Sequence, residues 1–470
     1  CGVDLRGEYP VLFRVKTDLR RQEPARWKIV GDALQQLIRV YLEPICRGLD
    51  GAAATVRTRD QRLSDEAADL SARLKEQVDY LSRLGTPVGE NTVRWIEFSR
   101  SDDGSIRFWA VKEAPISVAE ILQQFYDKVQ SAVFTSATLS TERNDFTFFL
   151  SRLGLSDRIG EGDRHALESD LPYDNALFVI PRYLENIPTP SRMEFFASEL
   201  ARELTHLFSF TNGHGMSLMT ARKRMEQVFE TAGPELEKSG VYLLAQGLSG
   251  SAETVTSRLR AQPDGTAVVG LNKLWEGVDV PGPALSILGI EKLPFPAFHQ
   301  PITQARREAV VEAGESDFFD YLLPWTLIRF KQGFGRLIRG PEDKGVVILF
   351  DRRIHHKSYK PAVLGCLPGY CIRPECENSR TEMLRAISEH LPELFVGRDV
   401  EELLARLPED PISAVAALLS QWQLSSPVTE SEYAELRKRV MELIKAVFGF
   451  DDFRSDEQEE IVKQILCGRD

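Results

Sequence analysis

Cysteine is scarce in this sequence, with six in 470 residues. That is too few for a disulfide scaffold, so a reducing, cytoplasmic compartment is the expected one. No apolar run approaches the roughly 18 residues needed to cross a bilayer. The opening residues, Cys1-Gly-Val-Asp-Leu-Arg6, lack the basic and then apolar order of a signal peptide. Membrane and secreted classes are thereby disfavoured. An excess of positive charge is also missing: 58 basic residues stand against 70 acidic ones, a net charge of −12. Composition gives no basic coat for nucleic acid, although a motor can confine its positive charge to one groove. Repeats and low-complexity segments are absent too. What is present is 43% hydrophobic and 27% charged residues, the balance of a globular chain of roughly three domains. The chain starts with Cys rather than Met and reads as part of a longer protein.

Residues 1–95 read as mainly helical. The clearest helix is expected from Asp60 to Leu84, with Leu63, Ala67, Leu70, Leu74, Val78, Leu81 and Leu84 spaced by three or four. A strand is expected at Ile106–Val111, a helix at Val118–Val129, and a short buried strand at Ala132–Thr135. Then comes an alternation. Apolar runs at Leu177–Ile180, Met216–Met219, Val241–Ala245, Thr266–Gly270, Leu285–Ile290 and Val346–Phe350 are separated by helix-like stretches such as Met193–Phe208, Ala221–Thr231 and Thr303–Val311. This predicts an α/β fold: a three-layer domain whose mostly parallel sheet is covered on both faces, with its ligand site at the carboxyl ends of the strands. A helical N-terminal region and a helical connector over 363–447 flank it. In the connector, Asp399 with Glu402 and Thr429 with Glu432 fit helix-capping patterns.

Three short runs can carry chemistry. Gln332-Gly-Phe-Gly-Arg-Leu-Ile-Arg339 places Arg336 and Arg339 three apart, which on a helix puts them on one face with Gln332 a turn earlier. Arginine forks suit phosphate oxygens, though a basic face paired to acids has the same pattern. Trp275-Glu-Gly-Val-Asp-Val-Pro-Gly282 follows the strand Thr266–Gly270 and sets Glu276 and Asp279 at a strand end. An ordinary acidic turn would look alike. Thr135-Ser-Ala-Thr-Leu139 offers small hydroxyls that can relay hydrogen bonds.

In this order the three runs resemble the DinG/XPD branch of the superfamily 2 helicases. Ser136-Ala137-Thr138 resembles motif III, Trp275–Gly282 motif V and Gln332–Arg339 motif VI. Ala114-Pro-Ile116, Ala245-Gln-Gly247, Lys292-Leu-Pro-Phe-Pro296, Phe318-Phe-Asp-Tyr321 and Val346–Arg353 fit as supporting segments. In motif V, Asn272-Lys-Leu274 departs from the small and aromatic run of the family. The resemblance implies an ATP-driven motor that moves on single-stranded or forked DNA, with two RecA-like lobes and ATP between them. It implies that Arg336 and Arg339 face the γ-phosphate from the second lobe and that Gln332 orients the attacking water or the phosphate. Glu276, Gly277, Asp279 and Gly335 would serve the nucleotide, and Ser136, Ala137 and Thr138 would couple it to DNA. The implied domains are an arch remnant over 1–95, the end of the first lobe over 96–168, the second lobe over 169–362 and the connector over 363–447.

ATP and Mg²⁺ are the implied cofactors, yet no Gly-Lys dipeptide occurs, so the chain has no G-x-x-x-x-G-K-[ST] phosphate loop. Both that loop and a Mg²⁺ carboxylate are expected in a segment preceding these residues. The alternative is a RecA-like nucleic-acid-binding or scaffolding module without an ATP site. Residues 448–470 resemble the opening of a RecQ helicase: Phe448, Phe450, Phe453, Arg454 and Gln458, the last as an adenine reader, with three residues rather than two between Arg454 and Gln458. Cys366, Cys371 and Cys376 recur with four residues between each pair, which is not the usual two-residue metal spacing. No metal ligand is assigned among them. The iron–sulfur cluster of some relatives belongs to the first lobe, so these cysteines do not inherit it.

Overall fold

The computed structural model describes residues 11–15, 24–84, 88–100, 106–142, 144–276, 280 and 282–406. Two compact units divide the chain. One is drawn from Cys1–Phe134, Thr147–Asp163 and Pro296–Pro324, the other from Thr135–Phe146, Arg164–Phe295 and Trp325–Asp470. The boundaries inferred from sequence cut the chain differently. They placed 296–324 with the parallel-sheet lobe and 135–146 with the segment before it. None of the described helices is long and apolar enough to cross a membrane.

The first unit holds an antiparallel sheet of β1 (Val11–Val15), β2 (Thr92–Arg100) and β3 (Ile106–Pro115), in that order. Its longest helix spans Gln61–Leu84, within one residue of the expected one. The expected stripe is only partly buried: Leu84 is buried and Ala67, Leu74, Val78 and Leu81 are half-buried. Ser64 and Ser71 are buried, while Leu63 and Leu70 are exposed. Small side chains let the neighbouring Glu43–Val56 helix approach closely. Ser64 Oγ donates to Ala53 O at 2.9 Å, and Ser71 Oγ to Asp50 Oδ1 at 2.6 Å. The helix ends on a buried cation: Arg94 of β2 donates to the Leu84 and Arg83 carbonyls at 3.0 and 3.1 Å and pairs with Glu113. Those carbonyls are helix-terminal acceptors with no partner inside the helix.

The second unit is a six-stranded sheet. Its strands are β4 (Ala176–Val179), β5 (Gly213–Leu218), β6 (Tyr242–Ala245), β7 (Thr266–Gly270), β8 (Ile287–Ile290) and β9 (Gly345–Leu349), in the order β4-β9-β8-β5-β7-β6. Every pairing is parallel. All six expected apolar runs are strands, displaced by no more than three residues at either end. A strand buried on both faces reads as an unbroken apolar run, because its alternate residues feed two different layers. Leu177 and Val179 enter the core beneath the Met193–Thr211 and Arg222–Lys238 helices. Phe178, between them, meets Phe330 and Phe334 on the other face, at ring distances of 6.3 and 6.0 Å. Residues 370–406, within the segment expected as a helical connector, pack onto this layer. Cys371 N donates to Ala176 O at 2.9 Å along the edge of β4, and Met383, Leu384, Ile387, Leu391 and Phe395 join the core. Asp399 caps the Val400–Ala405 helix, accepting from the Glu401 and Glu402 amides at 3.0 and 3.1 Å. Thr429, Glu432 and Gln458 lie outside the described residues.

One expected strand is absent. Ala132–Thr135 is irregular rather than extended in a sheet, and Val133 is 91% exposed. A single apolar run becomes a strand only where another offers its amide and carbonyl groups. Among the described residues no strand pairs with it.

Candidate functional site

Gln332 lies in the last turn of the Leu323–Phe334 helix. The expectation that Arg336 and Arg339 share its helical face does not hold, because the helix stops at Phe334. Arg336 N turns back to Gly333 O at 3.1 Å, and Leu337 N to Phe334 O at 3.2 Å. Leu337 and Ile338 are both buried. The Asp343 carboxylate then accepts the Arg339 and Gly340 amides at 2.8 and 2.7 Å and fixes the turn. Arg336 and Arg339 are thus carried by a pinned loop. Gln332, Arg336 and Arg339 are all half-buried.

The helix end meets the other two runs. Gln332 Nε2 donates to Thr138 Oγ1 at 3.4 Å, joining residues 194 apart in sequence. Within that partner run the Ser136 and Thr138 hydroxyls lie 3.3 Å apart, and Thr138 N donates to Ser136 Oγ at 3.2 Å. Lys331, one residue earlier, reaches Ser140 O and Oγ at 3.5 and 3.4 Å. Burial pulls the Lys331 ammonium below its usual range.

Trp275 makes the third connection. It lies in the short Asn272–Glu276 helix after β7 and is fully buried, its Nε1 donating to Met219 O at 3.0 Å. Its carbonyl accepts from Arg336 Nε at 3.0 Å. Its ring presses on Gly333, where an added Cβ would sit 2.7 Å from two ring carbons. The loop that follows β7 is held by Gln246, whose Oε1 accepts the Leu271 amide at 2.9 Å. The Glu276 side chain, Gly277 and Asp279 lie outside the described residues.

Several members of this neighbourhood were not visible as such in the sequence. Tyr173 stacks on Phe334 at 6.4 Å; burial raises its phenol above the usual range, and the Arg339 charge opposes the rise. Arg329 lies over the rings of Trp325 and Trp275 at 5.1 and 5.8 Å. No motif marks these residues, because aromatic and cationic neighbours are assembled by packing across the chain. Two guanidiniums and an amide fit phosphate oxygens. They do not fit a divalent cation, which takes carboxylate oxygens, and no described group of three His, Cys, Asp or Glu side chains is arranged to hold a metal. Cys366 and Cys376 are buried, their thiols pushed up to about 12 and about 11 by burial.

A model of the helicase C-terminal domain matches residues 204–369. The 3'-5' exonuclease DinG of Bacillus subtilis is 30% identical over 76% of this chain and 38% of its own length. The ATP-dependent DNA helicase YoaA of Haemophilus influenzae is 32% identical over 62% of this chain and 42% of its own. The ATP-dependent helicase DinG of Mycobacterium tuberculosis is 28% identical, over 59% and 40%. The chain spans about two fifths of the length of these relatives. Residues 204–369 of this chain thus match a helicase C-terminal domain, and the chain is similar to DinG- and YoaA-type helicases over part of their length.

Proposed function

We propose that this chain is the motif VI-bearing part of an ATP-dependent motor acting on single-stranded DNA. The observation that carries this reading is the Gln332–Thr138 hydrogen bond, which brings the motif III-like and motif VI-like runs to one place. In this reading Arg336 and Arg339 bind the γ-phosphate and stabilise the charge of phosphoryl transfer. Gln332 orients the attacking water, and its link to Thr138 passes the state of that site to the Ser136–Thr138 run. Glu276 and Asp279 couple the cycle to DNA. A Mg²⁺ ion carried with the nucleotide would offset phosphate charge, and none of these residues would ligate it. These 470 residues contain no phosphate loop. Hydrolysis therefore needs one from outside them.

The test is Arg339→Ala in the helicase that contains these residues. Loss of such an arginine costs on the order of 10³-fold or more in turnover. DNA-stimulated ATP hydrolysis should be abolished, with single-stranded DNA affinity within about twofold of wild type. Unchanged turnover would remove the motif VI assignment. Loss of DNA binding with intact folding would favour a binding module instead.

A further inference from the structure

Lys292 belongs to a segment that the nucleotide chemistry above leaves unused. It follows β8 directly, between the carboxyl ends of β5 and β9, the two strands that flank β8 in the sheet. In an open parallel sheet, ligands lie beyond these ends. Five charged side chains gather there: Arg224 after β5, Glu291 and Lys292 after β8, and Asp351 and Arg353 after β9.

Two of the three cations are committed. Glu291 is fully buried and pairs with Arg224, while its Oε2 accepts from Thr220 N at 2.6 Å and Thr220 Oγ1 at 2.8 Å. Arg224 also donates to Thr220 Oγ1 at 2.7 Å. Asp351 is held bidentately by Arg353, both bonds being 2.7 Å, and Arg353 Nη1 donates to Pro188 O at 3.1 Å. Both carboxylates are therefore occupied. Lys292 is half-buried and, among the described residues, has neither an ion-pair nor a hydrogen-bond partner. Burial lowers its proton affinity, and the Arg224 and Arg353 charges act in the same direction while Glu291 and Asp351 oppose it.

We infer that Lys292 is a contact for one backbone phosphate of single-stranded nucleic acid, at the carboxyl edge of β8. A half-buried ammonium without a partner is unfavourable, and an anionic oxygen would complete it. One uncommitted cation matches a singly charged phosphodiester better than the several charges of a nucleotide. The inference rests on the motor reading above, which already places the nucleotide at Arg336 and Arg339.

The test measures anisotropy of a labelled oligothymidylate with the 470-residue chain from 50 to 300 mM salt, for wild type and Lys292→Met. A parallel titration uses a fluorescent non-hydrolysable ATP analogue. Each phosphate contact on a single strand contributes about −0.7 to the slope of log K against log salt. Lys292→Met should weaken oligothymidylate binding about five- to twentyfold and flatten the slope by roughly that amount. Lys292→Arg should keep both. A structural lysine would instead lower Tm on replacement, whereas Lys292→Met should hold or raise it. Lys292→Gln is the second charge-free variant, read by the same slope. Equal affinity and slope in both charge-free variants would overturn the inference while leaving the motor reading standing. So would a loss confined to the ATP analogue. No oligothymidylate binding by the wild-type chain would overturn both.

Discussion

At the scale of the residue, one glycine decides whether the motif-bearing runs can meet. Gly333 lets the end of the Leu323–Phe334 helix rest on the Trp275 ring, and a methyl there would lie 2.7 Å from two ring carbons. The ring is buried and its indole N–H is bonded, so it has little freedom to withdraw. Gly333→Ala should destabilise the domain by about 1–3 kcal/mol, the usual cost of overpacking. Thermal unfolding would show it as a Tm several degrees lower. An unchanged Tm would mean that the ring shifts freely. The run Gln332–Arg339 was legible because its residue types are those that grip phosphate. Why a glycine occupies position 333 was not, since the reason is a side chain 58 positions earlier.

At the scale of the element, strands of the parallel sheet were readable because each is apolar on both faces. Helix ends were less so. The Leu323–Phe334 helix stops where the Trp275 carbonyl takes Arg336 Nε and the Asp343 carboxylate takes the Arg339 and Gly340 amides, tertiary bonds that override the local spacing. The Ala132–Thr135 run failed as a strand for the complementary reason, having no described ladder partner. Between elements, the Arg380–Glu203 pair fastens the Arg380–His390 helix to the Met193–Thr211 helix. Side-chain exposures are 5% and 1%, and Tyr183 Oη adds a bond to Glu203 Oε2 at 3.1 Å. Removing one partner strands a buried charge, so Arg380→Met should cost about 3–5 kcal/mol in urea unfolding. Adding Glu203→Leu should recover most of that loss. A double variant no better than the single one would show that the pair contributes by packing alone.

At the scale of the whole molecule, acid stability depends on which groups must stay neutral in the fold. His206 is buried, its Nδ1 has no hydrogen-bond partner among the described residues, and burial pulls its pKa from 6.5 down to about 4, with the nearby Arg380 charge acting in the same direction. A folded pKa below the unfolded one favours the unfolded chain as protons bind. The contribution is therefore complete above pH 6.5, declines as pH falls toward 4 and levels off below. The difference corresponds to about 3 kcal/mol at most. Wild type should lose up to that much more unfolding free energy than His206→Gln between pH 7 and pH 4. Parallel pH profiles of the two proteins would assign the acid limb to other groups.

Sequence alone determined the parallel α/β domain, its six strands and the residue types that meet phosphate. All of these are local: apolar runs bounded by turns, and guanidinium groups at a fixed spacing. Only the tertiary structure decided that Arg336 and Arg339 sit on a pinned turn, that Gln332 reaches Thr138, and that Trp275 is the surface on which Gly333 rests. Each of those facts depends on residues far apart in the chain. Packing selects such contacts by shape and by the need to satisfy buried polar groups, and no spacing within one segment records that selection.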